Sequence, residues 1–140
     1  MTINTIHDVT FGEDLPTFEP DTSLEVTARF AKAVGWGDGA GRFSDHERAR
    51  KQGLPGALVP GIMGMGFLTT TIHRWSDAAE VEHIDTVFRA PMLADEPVLI
   101  TATVTDVDTD EGLAELDVSL KNAAGETRVF GTARVRLPVA

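Results

Sequence analysis

From residue 98 onward, apolar and polar positions alternate with a period of two. Val98, Ile100, Ala102 and Val104 share one side of PVLITATVTDV, and Ala114, Leu116, Val118 and Leu120 share one side of LAELDVSLK. In TRVFGTARVRL the same side carries Val129, Gly131, Ala133, Val135 and Leu137, against Arg128, Arg134 and Arg136. This pattern predicts three strands with one buried face, and the DTDEG and NAAGE segments between them predict tight turns, hence an antiparallel meander. VEHIDTVFRA, residues 81–90, predicts one strand more, followed by an acidic turn region from Pro91 to Pro97.

Nearer the N-terminus the period is helical. Leu24, Ala28, Ala31 and Val34 fall on one face with Phe30 beside them, which predicts a helix from Thr22 to Val34, opened by a Thr22–Glu25 capping box and stopped at Gly35. A second capping box, Ser44 to Glu47, opens a short helix ending at Gly53, whose last turns hold Arg48, Arg50 and Lys51. These basic residues form a solvated helix face or meet the phosphates of a ligand. Between the two helices, GWGDGAGRF sets four glycines around Asp38, a mobile surface loop or a backbone shaped for a ligand. Ahead of all this, TINTIHDVTF is rich enough in β-branched residues for a strand, broken by Gly12, Pro16 and Pro20.

The most informative stretch is LVPGIMGMGFLTTTIHRW, Leu58 to Trp75. It predicts a helix buried on most sides, with Pro60 at the first helical position. Three glycines, at 61, 64 and 66, each cost up to about 1 kcal/mol against alanine, so something must approach the helix closely. The amides of Gly61 and Ile62 are then unpaired donors at the positive end of the helix dipole, suited to a carbonyl oxygen or an anion. Met63 and Met65 serve as packing or line a tunnel beside the helix. One buried helix and one apolar sheet face combine most simply as an α+β domain, a long helix wrapped by a curved antiparallel sheet.

Composition narrows the function classes. The chain has 140 residues, one domain spanning 1–140 by length, with 42% hydrophobic residues to supply a core. A net charge of −10 argues against nucleic acid as a partner. No stretch is apolar enough to span a bilayer, the N-terminus lacks a secretory pattern, and cysteine is absent, which together point to the cytoplasm. Without cysteine there is no thiolate metal site, and without tyrosine no phenolic acid.

The order of elements, with Gly37-Asp38, Gly53, Gly56, Gly61 and Phe88-Arg89-Ala90-Pro91 in one register, resembles the MaoC-like dehydratases and (R)-specific enoyl-CoA hydratases. The resemblance covers roughly residues 15–137 and holds without a gap from Asp38 to Gly61. It implies the hotdog fold, no cofactor and no metal, an acyl-CoA or acyl-carrier thioester as substrate, and a dimer with an identical or a second hotdog chain. Members of this family carry a Gly-Asp-x-Asn-Pro-x-His loop whose aspartate and histidine activate water. A glycine amide at the start of their central helix polarises the thioester carbonyl.

On that register Asp38 is the acid/base group, Gly61 and Ile62 offer the carbonyl-binding amides, and Phe43, Pro60 and Met63 flank the substrate. The register also exposes departures: the family Asn, Pro and His fall on Ala40, Gly41 and Phe43, and the histidine before the helix falls on Pro60. His46, three residues after Phe43, is the substitute proton carrier, against the plainer expectation of a half-exposed helix residue. His7, His73 and His83 are assigned no chemistry. Three readings follow: a thioester hydratase or dehydratase, a degenerate subunit that completes a pocket with an active partner, and a repurposed lyase or isomerase binding a hydrophobic ligand in the same tunnel.

Overall fold

A computed structural model describes residues 2–140. Its elements in chain order are a 3-10 turn at Ile6–Asp8, α1 (Leu24–Ala33), α2 (His46–Lys51), β1 (Leu58–Val59), α3 (Gly61–Trp75), β2 (Glu80–Phe88), β3 (Met92–Leu93), β4 (Val98–Asp108), β5 (Leu113–Asn122) and β6 (Thr127–Arg136). The four long strands form one antiparallel sheet in the order β2-β6-β5-β4, bent by bulges near Val81 and Val104. The predicted alternation holds: Ile100, Val104, Leu116, Leu120, Val129 and Val135 are all buried on the face that meets α3.

Helix α3 buries Met63, Gly64, Leu68, Thr71, Ile72 and Trp75, one stripe at helical spacing. Its other face is open, with Ile62 about half exposed. The expectation of a helix buried on most sides is therefore corrected, because a single sheet covers a single side. Of the three helix glycines, Gly64 has the close neighbour that its cost implies, and Gly61 has one at ordinary contact distance. A Cβ on Gly64 would lie 2.8 Å from Met92 Cε, and one on Gly61 would lie 3.4 Å from the Phe88 ring, whereas Gly66 faces open space.

The N-terminal segment is not a strand. Thr5 caps the 3-10 turn, Ile3, Ile6 and Val9 enter the core, and the following residues run beside β4 through bridges at Asp14–Thr103 and Phe18–Ile100. One sheet edge is thus covered, while among the described residues β2 pairs only with β6 and leaves its other edge free. Both helix caps sit one residue later than the capping boxes predict. Ser23 caps α1 because the Thr22 hydroxyl instead donates to the Glu96 carbonyl at 2.6 Å, and Asp45 caps α2 because Ser44 donates to the Asp38 carbonyl at 2.9 Å. The acidic turn region hides β3, which pairs Leu93 with Leu58 and Met92 with Val59.

At Gly131 in β6 a Cβ would overlap the Asp85 carbonyl oxygen of the neighbouring strand. Gly131→Ala is expected to lower stability by about 3 kcal/mol in urea unfolding, as overpacking does against a backbone atom. Gly66→Ala, on the open face of α3, is expected to raise it by roughly 0.5–1 kcal/mol through helix propensity alone.

Candidate functional site

The start of α3 is built from Pro60 and Gly61. Pro60 is the N-cap rather than the first helical residue, with φ −56° and ψ 137°, and its carbonyl accepts the amides of Met63 and Gly64. The extended ψ breaks the helical path there, which shifts the helix to begin at Gly61. The Gly61 and Ile62 amides then have no partner among the described residues. They sit at the positive end of a fifteen-residue helix.

Gly61 opens into a cleft of about 300 Å³, whose walls include Phe43, Leu58, Phe88, Met92 and Val129. Phe43 is held by its carbonyl, which accepts the buried Thr27 hydroxyl at 3.0 Å, and its ring lies 5.4 Å from that of Trp36, itself edge-on to Phe30. Among the described residues, Arg89 is the one titratable residue lining the cleft. A larger depression of about 440 Å³ lies on the outer sheet face between Val87, Ser119 and Phe130 and shares none of these residues.

Asp38 is exposed on its glycine loop and lies outside the cleft lining. One carboxylate oxygen accepts Arg48 Nη1 at 2.9 Å and the other accepts the Ala40 amide at 3.0 Å, bonds that hold its pKa below the ordinary carboxylate value, the Arg48 contact contributing most. A depressed pKa makes it a weaker base at neutral pH. The loop takes this shape through left-handed backbone at Gly37, Ala40 and Gly41, which glycine adopts freely and Ala40 adopts at a steric cost. His46 faces a separate cleft with Arg50, Pro55, Gly56 and Asp95. Its Nε2 is 2.8 Å from Asp95 Oδ2, and its Nδ1 accepts the Ala57 amide at 3.0 Å. The basic face of α2 is also engaged: Arg48 with Asp38, Lys51 with Glu47, and Arg50 with the Pro55 carbonyl.

No protein-family model matches the sequence, and no curated protein matches it. Solved structures do. A chain of the ChsH1-ChsH2 complex from Mycobacterium tuberculosis is 21% identical, with a TM-score of 0.80 over 92% of this chain and 98% of that one. The (R)-hydratase PhaJ1 from Pseudomonas aeruginosa is 14% identical, with a TM-score of 0.86 over 96% and 85% of the two chains. A MaoC-like dehydratase from Rhodospirillum rubrum is 16% identical, with a TM-score of 0.75 over 96% and 98%. The chain has the fold of these structures, the hotdog fold.

Within this hotdog fold, Phe43 and Gly61 meet in one cleft, with Pro60 and Ile62 next to Gly61 in the chain. Met63 points into the core, 7% exposed. Asp38 and His46 are brought neither to that cleft nor to each other, since each is committed to a different neighbour. Phe88 lines the cleft, and its place in the Phe88-Arg89-Ala90-Pro91 match was the signal for it. Asp95 gave no comparable signal, because its importance comes from bonds to Leu24 and His46, far away in sequence. Trp36 stands half exposed behind Phe43. Among the described residues no cluster of three or more His, Asp or Glu is placed to hold a metal, and no helix is long and apolar enough to cross a membrane.

Asp95 is held below its ordinary carboxylate pKa first by the His46 ring N–H and then by the Leu24 amide. A carboxyl whose folded pKa is depressed adds stability that is complete above its unfolded value and is lost as pH falls through the folded one. Melting temperature followed from about pH 5 down to about pH 2 is therefore expected to fall less steeply in Asp95→Asn than in the parent chain, and the two curves are expected to converge at the acid end.

Proposed function

We propose that this chain takes part in the reversible addition of water to a 2-enoyl thioester on coenzyme A or an acyl carrier, and that it provides the place where the thioester carbonyl docks. The observation that carries this reading is that the amides of Gly61 and Ile62 have no partner among the described residues and that Gly61 lines an apolar cleft. When water adds, its hydroxyl bonds to C3 and a proton to C2, and negative charge passes through the carbonyl oxygen on the way. Two fixed N–H donors at a helix start stabilise that charge, more strongly where Phe43, Phe88 and Met92 limit access of water. Pro60 and Ile62 set the approach to the oxygen. The resemblance of fold to (R)-hydratases and MaoC-like dehydratases supports the same chemistry.

The water-activating groups are assigned to a second hotdog chain. Among the described residues the walls of the cleft include no carboxylate and no imidazole, Phe43 stands where the family histidine would act, and Asp38 is tied to Arg48. The free edge of β2, with Val87 and Phe88 half exposed, suits such a partner, and one similar chain was solved within a complex of two differently named proteins.

Hydration of crotonyl-CoA, followed by loss of the enoyl absorbance, tests both parts. Steady turnover is expected only when a hotdog chain retaining the Gly-Asp-x-Asn-Pro-x-His loop is added, and Asp38→Asn is expected to leave that turnover intact. Turnover by the chain alone that disappears in Asp38→Asn would instead assign the proton to Asp38. Gly61→Pro deletes the first amide at a position where proline fits a helix, and Pro60 already has the backbone that a residue before proline adopts. It is expected to reduce kcat by about 10²–10³-fold with unchanged circular dichroism, and an unchanged kcat would remove the carbonyl site from Gly61.

A further inference from the structure

We propose that His46 is a positioning residue: a neutral imidazole with its proton on Nε2 that fixes the peptide leading into Gly61. Its Nδ1 accepts the Ala57 amide at 3.0 Å, and a ring nitrogen that accepts a hydrogen bond carries no proton. The one proton of the neutral ring is then on Nε2, where it is donated to Asp95 Oδ2 at 2.8 Å. Both nitrogens are thereby used, and neither is left to exchange a proton with a substrate.

Asp95 extends the tie in two further directions. Its second oxygen accepts the Leu24 amide at the start of α1, and its own amide donates to the Thr22 carbonyl, each at 2.8 Å. Its φ of 68° is a left-handed conformation that aspartate tolerates better than most residues. The His46–Asp95 pair therefore joins the starts of α1 and α2 to the turn between β3 and β4.

On the other side, His46 acts on the approach to the cleft. Gly56 packs so closely that a Cβ there would lie 3.0 Å from Nδ1. Ala57 is fully buried, and its two backbone groups are held from opposite sides, the amide by His46 and the carbonyl by the Ala94 amide at 2.9 Å. The next residue, Leu58, donates its amide to the Arg42 carbonyl at 2.8 Å, beside Phe43. Leu58 and Val59 line the cleft, and Pro60 and Gly61 follow directly. Displacing the imidazole frees one end of this short run, so the effect reaches the cleft wall and the carbonyl-binding amides.

Two substitutions separate the two bonds. In His46→Asn the amide oxygen stands near the Nδ1 position and keeps an acceptor for Ala57. In His46→Gln the amide nitrogen stands near the Nε2 position and keeps a donor for Asp95. Long-range ¹H–¹⁵N spectra of the parent chain are expected to show an unprotonated Nδ1 and a protonated Nε2. The Ala57 amide is expected to exchange slowly in the parent and in His46→Asn, and at least about ten-fold faster in His46→Gln.

The last measurement rests on the thioester reading: crotonyl-CoA is expected to bind His46→Asn within about two-fold of the parent and His46→Gln at least about ten-fold more weakly. A proton on Nδ1, or rapid Ala57 exchange in the parent, overturns the proposal. So does a His46→Asn chain that binds crotonyl-CoA normally but no longer supports turnover with its partner chain, since His46 would then carry a proton. If the tautomer and exchange results appear while the parent binds no crotonyl-CoA, the positioning role stands and the thioester reading falls.

Discussion

The start of α3 packs against the end of β2 and the short β1–β3 pair, and the rest of the site is built on that contact. Met92 of β3 lays the flexible end of its side chain over Gly64, where a Cβ would displace it, and the Phe88 ring lies over Gly61 at ordinary contact distance. That contact sets Gly61, the first residue of the helix, in the lining of the cleft. The same contact explains why β3 exists at all. Two residues of strand are too little to stand alone, but Met92 is held both by its pairing with Val59 and by its burial against the helix.

Charge is used differently in this molecule than its net value of −10 suggests. The carboxylates nearest the candidate site serve as local ties. Asp38 fastens its loop to Arg48, Asp45 caps α2, and Asp95 joins α1, α2 and a turn. Exposed pairs of this kind contribute little stability individually, yet they order loops that contain many glycines. What is left at the cleft is a polarising element, two amides on a helix dipole, without a neighbouring base. Such a site stabilises charge on a bound carbonyl and relies on another group for the proton.

Some departures from the sequence-based expectations share one cause. Thr22 and Ser44 satisfy the local rule for helix caps, but their hydroxyls are claimed by the carbonyls of Glu96 and Asp38, and the cap moves to the next residue. The N-terminal segment has strand-like composition but finds only scattered bridges beside β4, so it turns at Ile6 and then follows the edge. His46 looks like a substitute base by its distance from the family histidine position, yet its ring is taken at both ends. A local pattern proposes a partner, and a distant residue with better geometry takes it.

By itself the sequence determined the α+β architecture, the period-two strands of the second half, the position of α3 and the two donors at its start. These follow from side-chain periodicity and from proline and glycine chemistry, which act over a few residues. Only the tertiary structure decided which glycines have close neighbours, where Asp38 directs its carboxylate, which nitrogen of His46 carries the proton and that the cleft is lined without a base. Those outcomes depend on atoms tens of residues apart in the chain, such as His46 and Asp95 or Gly64 and Met92, and no local pattern encodes their distance.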